Sequence, residues 1–536
     1  MSVALGFAPR SLPERLAVRP DLHRRALRGN YVSPVVHTSV RRWVGSKTND
    51  DIVGQPLART WLAVAPERIT PDDIISSCPI PESGSILDHI PVLLVTPAFA
   101  HWVDTKSPLL QQWMNRLYHQ FSDTPSEKPI HAVVSIVDRL PDGYSRDANV
   151  VGGRAMADAE GMSILFVEGE NVHGKAIAPG QTRSVETQEP TLVFSFRQGI
   201  TQSKVIRPPL HEIGLRLANT IFLNGKETTL IGTRWAYDPS LKELGLEKSV
   251  DLATCSVTVA AKHVHNSLEL PLHPVGERRK VLSSMGNILR QIGKNADGKT
   301  DEPIAASSEL EKDLPRYISE HNIVDQRISV WALIETSAES PYDKSRHSQS
   351  SLAKSIQMGS KLHRVVSGGG GWGKKHGLLS LDPEVSFKQP EEVDLLSLSD
   401  IFSTGSQPPK YGSTTPSEQR MLPEDLTTLS HAAEPGNYVQ FFVSTEQAQP
   451  HDDYAINGHI LGGSISCHFG VVSDAKTSSS QTTQHKELTV IPNYFGALSE
   501  KAITYLQPMT EASQYDTLGS QTKIDVPGAL VALVLQ

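Results

Sequence analysis

Cysteine is scarce. Cys78, Cys255 and Cys467 are the only three in 536 residues, and they stand far apart. They make no CxxC pair and no metal-ligand spacing, and a secreted disulfide scaffold uses more cysteines in a shorter chain. A reducing compartment is the expectation. Long apolar runs are missing too. The longest, 90–103, contains Pro91 and Pro97, and the C-terminal VPGALVALVL has about half of the roughly twenty residues a spanning helix needs. A soluble protein with no transmembrane segment is expected. Aromatic residues make up 6 % and apolar residues 38 % of the chain, low values that fit folded parts interrupted by polar loops. Catalytic signatures are lacking as well. Gly462-Gly463-Ser464-Ile465-Ser466 fails the G-x-S-x-G elbow at its last position. Cys467 and His468 are neighbours on a strand, so their side chains point to opposite faces and cannot pair. No residue is assigned a catalytic role and no cofactor is named.

Acids are nearly absent from the first 44 residues, where eight arginines meet only Glu14 and Asp21. That segment carries +6, so with a total of −8 the remainder carries −14. Such a body repels a phosphate backbone, and nucleic-acid binding would need a local basic patch. Residues 1–45 are rich in Arg, Ser and Ala and lack the apolar core of a secretory signal. In composition they resemble a mitochondrial transit peptide, and Arg41-Arg42-Trp43 resembles the arginine-plus-aromatic sites cut by the matrix processing peptidase. The resemblance implies import into the mitochondrial matrix. A basic tail of a cytosolic or nuclear protein is the other reading of the same residues.

The present residues alternate between strand and helix patterns. PVLLVTPAFA reads as a buried strand, Ser107 can cap a helix with Leu109, Leu110, Trp113, Leu117 and Phe121 on one face, and HAVVSIVDRL returns as a strand. This spacing predicts a parallel βαβ pair, which places Asp138 where an open α/β sheet holds functional acids. MSILFVEG and TLVFSFRQG read as antiparallel neighbours, PPLHEIGLRL as a short helix, and Asn224-Gly225 as a hairpin turn. The spacing of Val281, Met285, Ile288 and Ile292 predicts a helix over 277–293, whose basic start Arg278-Arg279-Lys280 is either a solvated turn or an anion contact. SSELEKDL reads as a helix cut at Pro315, and 352–366 as another helix. RISVWALIET, NYVQFFVS, GGSISCHFGVVS, LTVIP and VPGALVALVL read as strands, while 403–436 and SDAKTSSSQTTQHK read as disordered.

One stretch exceeds this background: RVVSGGGGWGKKHGLLSLDPEVSF. Gly368, Gly369, Gly370, Gly371, Trp372, Gly373, Lys374 and Lys375 form a segment free to turn several N–H groups toward one anion, with cations at its end. It meets G-x-x-x-x-G-K-[ST] except at Lys375, so the hydroxyl that binds magnesium is missing. Six cations (Lys354, Lys361, Arg364, Lys374, Lys375, Lys388) face only Asp382 and Glu384, and Trp372 could stack on a base. The alternative is a structural loop in which the glycines let Trp372 fold back on the core. His263, His265 and His273 could offer imidazoles to a metal, but no acid or cysteine completes the set, and no metal is assigned.

The expected fold class is α/β or α+β: a mixed sheet with flanking helices, a strand-rich C-terminal part and long disordered loops. The expected organisation is a presequence at 1–45, a mixed α/β domain at 46–336, a linker and Gly-rich segment at 337–402, a disordered loop at 403–436, and a β-rich segment at 437–536 packing on the main domain. The expected function is that of a non-catalytic matrix accessory factor, in organellar gene expression or assembly, contacting RNA or ribosome-associated proteins through the Gly-Trp-Lys segment. The alternative is an enzyme binding a nucleotide or other phosphate-bearing ligand at the degenerate phosphate loop.

Overall fold

The computed structural model describes residues 57–78, 88–104, 107–118, 128–142, 158–177, 190–199, 210–218, 229–295, 302–321, 323, 328–336, 349–368, 377–382, 395–403, 432–444, 464–473, 488–508 and 520–536. All lie in the unit Val53–Gln536. Residues 1–45, Asn224-Gly225, 369–376, most of 403–436 and 474–487, on which sequence expectations fell, lie outside them.

Strands dominate the described residues. The first are β1 (Leu57–Ala63), β2 (His89–Val95), β3 (Ile130–Ile136), β4 (Leu140–Pro141), β5 (Asp158–Glu168), β6 (Val172–Ala176), β7 (Thr191–Gln198), β8 (Leu210–Arg216) and β9 (Leu230–Asp238). Then come β10 (Glu243–Ala261), β11 (Val264–Glu269), β12 (Leu272–Met285), β13 (Ile288–Gly293), β14 (Pro303–Ala305), β15 (Ser329–Glu335), β16 (Lys361–Gly368), β17 (Leu379–Leu381) and β18 (Leu396–Ser397). The last are β19 (Tyr438–Ser444), β20 (Ile465–Val471), β21 (Leu488–Pro492), β22 (Tyr494–Ser499), β23 (Ile503–Gln507), β24 (Ser520–Ile524) and β25 (Leu530–Leu535). The helices are α1 (Pro71–Ser76), α2 (Pro108–Tyr118), α3 (Ser308–Glu320), α4 (Gln349–Gln357) and α5 (Leu398–Ser403).

The main sheet is mixed, in the order β21-β1-β5-β2-β3-β9-β10-β7-β8-β23-β24. β2 and β3 pair in parallel across α2, as the strand-helix-strand spacing predicts. Leu109, Leu110, Trp113 and Leu117 of α2 bury against one face of this sheet, with Leu93, Val95, Val134 and Ile164 beneath them. The opposite face, through Val92, Val133, Phe194 and Phe196, meets a four-stranded sheet β11-β25-β20-β22 that contributes Phe469, Phe495 and Leu533. Phe194 and Phe469 lie 5.1 Å apart by ring centroids.

The third body of strands closes on itself. β12-β19-β15-β16-β17-β13 pair in sequence and β13 pairs back to β12, forming a six-stranded barrel with β14 appended to β13. Its interior holds Val275, Val281, Leu289, Ile292, Ala332, Phe441 and Val443, with Leu310 of α3 packed among them. Trp331, Leu333, Leu362 and Phe442 point outward from the barrel into the core of the main sheets.

Several sequence expectations are corrected. The 277–293 helix is instead the hairpin of β12 and β13, turning at Gly286-Asn287, where Gly286 has φ +62° and Met285 pairs with Ile288. A two-residue turn with positive φ is hairpin chemistry, and the ladders to β19 and β17 outweigh an apolar spacing that fits either period. The described part of PPLHEIGLRL forms β8, with His211, Ile213 and Leu215 buried at period two. MSILFVEG and TLVFSFRQG are strands but not neighbours: β5 pairs with β1, β2 and β4, and β7 with β8 and β10. α3 runs through Pro315 to Glu320 rather than stopping there. Over 352–366 the helix ends by Gln357 and β16 follows. Strand dominance is therefore stronger than the expected α/β balance. Among the described residues no helix is long and apolar enough to cross a membrane.

Candidate functional site

The Gly-Trp-Lys segment is tied into the barrel at both ends. Gly368 is the last residue of β16 and pairs with Leu379 of β17, so residues 369–376 connect two adjacent antiparallel strands. A Cβ at Gly368 would sit 2.2 Å from Leu379 Cδ2 and 2.9 Å from the Leu378 carbonyl oxygen. Glycine is required there by close backbone approach, whatever else the segment does.

On the barrel's body side the outward residues are buried. On the far side, β13, β17 and the end of β16 form a wall with exposed Arg290, Gln291 and Arg364. Met285, at the end of β12, is 61 % exposed, and Val366 is 56 % exposed. Arg364 donates from Nη2 to Ser329 Oγ at 2.9 Å, and its guanidinium lies 5.7 Å from the Trp331 ring centroid, which holds the cation in place. β13, β16 and β17 contain no Asp or Glu. Asp382, which follows β17 in the chain, accepts from Lys523 Nζ at 2.5 Å.

The other basic run is spent internally. Arg278 pairs with Glu335 and lies 3.8 Å from the Tyr438 ring centroid, while Ser355 Oγ donates to the same carboxylate at 3.1 Å. Arg279 pairs with Glu309 of α3, which also accepts the Glu277 N–H at 2.5 Å. Burial pushes the Glu309 carboxyl up, more than these two donors draw it down. Neither a solvated turn nor an anion contact, Arg278 and Arg279 tie an irregularity in β12 to β15 and β19 on one hand and to α3 on the other.

Asp138 does stand at the carboxyl end of β3. Its Oδ2 accepts the Glu500 N–H at 2.8 Å and the Ser499 hydroxyl at 3.4 Å, capping the turn between β22 and β23. Burial raises its pKa, with Glu500 adding to the rise and the hydrogen bonds opposing it. The carboxylate is a strand-end tie rather than a free acid. The cysteines are all buried. Burial pushes the Cys78 and Cys255 thiols up to about 12 and raises Cys467 further, so none supplies a thiolate near neutral pH.

Cys467 and His468 point to opposite faces of β20, as their adjacency predicts: Cys467 joins the core. His468 instead lies with Nε2 3.2 Å from Ser466 Oγ and Nδ1 2.7 Å from the Tyr494 hydroxyl. The Ser-x-His spacing on a strand was the available signal for this chain of hydrogen bonds, and sequence reasoning passed over it. His468 is buried, and no pair of converging N–H donors faces Ser466 among the described contacts, so the arrangement is a satisfied polar network. His263 contacts Gln198 Nε2 at 3.4 Å, and among the described residues no group of three His, Cys, Asp or Glu is placed to hold a metal ion. Beneath α2 a void of about 20 Å³, lined by Leu93, Trp113, Met114, Val134 and Trp235 among others, has room for about one water and no converging polar groups.

Comparison with family models, with curated proteins and with solved structures finds no match for this chain.

Proposed function

We propose that this chain is a non-catalytic accessory factor of the mitochondrial matrix, acting in organellar gene expression or assembly, and that it meets an anionic partner through residues 368–375. One observation carries the reading: the segment joins β16 and β17, two strands that with neighbouring β13 contain no Asp or Glu, and Arg364 and Arg290 are exposed on this wall. Cations gathered on one face of an otherwise acidic chain attract a polyanion locally, and RNA or a ribosome-associated protein fits that need. The matrix address rests on the arginine-rich first 45 residues. The nucleotide-enzyme alternative draws less from the fold, because β17 follows the glycines and a phosphate loop opens a helix whose N-terminus binds the anion.

The test is affinity purification of the tagged full chain from mitochondria, alongside a Lys374→Ala/Lys375→Ala variant. The expected result is a co-purifying RNA or RNA–protein particle that is depleted with the variant while its melting temperature stays within about 1 °C of wild type. Imaging that places a tagged copy outside mitochondria, or a variant that unfolds instead of losing its partner, refutes the reading.

A further inference from the structure

Resting on that reading, we propose that the partner is single-stranded RNA and that it lies across the β13–β17–β16 wall, held by Arg290 and Arg364 outside the Gly-Trp-Lys segment itself. The register of the closed barrel puts the relevant side chains in order. Met285 pairs with Ile288, Ile288 with Ser380, and Ser380 with Ser367, next to Val366. This row crosses four strands, about 14 Å at the usual strand spacing. It begins at the exposed Met285 and ends at Ser367, beside the exposed Val366. Leu289 and Leu379 stand level with Gly368, so Arg290 lies on the same side of the row as the Gly368 end of β16. Arg364 lies on the other side, where its carbonyl accepts the Asp382 N–H. A cation therefore stands on each side of a row that is apolar at Met285 and Ile288 and hydroxyl-bearing at Ser380 and Ser367, with no acid on the three strands.

This pattern suits a strand of RNA whose bases are unstacked. Guanidinium groups meet phosphates and can stack on bases, while Met285 and Val366 cover base faces. A duplex would hide those faces and use only the charges. An acidic polypeptide binding by strand addition would need a free sheet edge, and closure of the ring leaves these strands paired on both sides.

The experiment is fluorescence anisotropy of the full chain with a fluorescein-labelled 12-nucleotide oligouridylate, between 50 and 200 mM salt. Wild type is expected to bind. Arg290→Ala with Arg364→Ala is expected to weaken binding about tenfold and to flatten the salt slope by about 1.4, the loss of two single-strand phosphate contacts. Arg290→Ala alone guards against a folding defect from removing Arg364 beside Trp331, and Arg290→Lys should retain most of the affinity. If the arginine variants bind like wild type while Lys374→Ala/Lys375→Ala does not, the wall is overturned and the Gly-Trp-Lys reading stands. If wild type does not bind the oligouridylate, or an oligoglutamate of equal charge displaces it equally well, single-stranded RNA is overturned as the occupant.

Discussion

Two histidines should make this fold sensitive to mild acid. His131 and His211 are 7 % and 6 % exposed, and burial lowers both to about 4 from an ordinary 6.5. At His131 the neighbouring Arg234 adds to the lowering and Glu247 opposes it. His131 stacks on Phe402 with ring centroids 5.4 Å apart, and His211 Nδ1 lies 3.1 Å from the Tyr505 hydroxyl. In the unfolded chain both rings take up a proton near 6.5; in the folded chain they resist until about 4. The unfolded state thus binds more protons in this window, so stability is fully present above 6.5 and falls as pH drops toward 4. At 1.36 kcal/mol per pH unit, each ring removes roughly 3 kcal/mol across the whole window, and about 1 kcal/mol between pH 6.5 and 5.5, above the range where most carboxylates titrate. The assay is urea unfolding at pH 7.0, 6.0 and 5.5, followed by fluorescence of the buried Trp61, Trp113 and Trp331. His211→Gln will lower stability at pH 7, because a packed ring is lost, but should remove close to half of the loss on acidification. Equal pH slopes in wild type and variant would refute the reasoning.

Glu335→Ala should cost about 3–5 kcal/mol in urea unfolding, because it strands the buried Arg278 guanidinium, and a Glu335→Leu/Arg278→Met pair should recover much of that loss. Gly368→Ala should lower the unfolding midpoint by an amount equivalent to about 1–3 kcal/mol, since its methyl meets Leu379 and the Leu378 carbonyl; an unchanged midpoint would mean that β16 and β17 do not approach this closely. In the native protein Cys78, Cys255 and Cys467 should resist iodoacetamide at pH 8 for hours and react at once in urea, read by mass spectrometry.

Elements whose periodicity is set by one nearby layer were legible in the sequence. Leu109, Leu110, Trp113 and Leu117 repeat on a single helical face because α2 covers a single sheet face, and the continuous apolar runs of β2 and β3 follow from burial on both sides. The barrel was not legible. Val281, Ile288 and Ile292 fit a helical spacing, and the hairpin that pairs Val281 with Ile292 is held as strand by β19 and β17, about 90 to 160 residues further on. The site divides in the same way. Composition alone picks out Gly368 to Lys375, but the exposure of Arg290 was hidden by its assignment to a helix. The loss of Arg278 and Arg279 to buried acids depends on Glu309 and Glu335, which nothing local to the arginines announces.

Long-range pairing also decides how the wall can be presented at all. β12 pairs with β19 across about 160 to 170 positions, and β1 lies between β5 and β21, with Thr60 Oγ1 donating to the Tyr494 carbonyl at 2.7 Å across 434 positions. Loop closure over such distances costs entropy that only the completed layers repay, so the sheets and the barrel should form late and together. Trp331 joins them directly: its ring sits in the shared core, its Nε1–H donates to Asp525 at 2.8 Å, and Arg364 of the wall rests over its face. The wall's position is therefore set by the body's core, and a barrel cut free of β24 and the Asp525 that follows it would lose the support beneath Arg364.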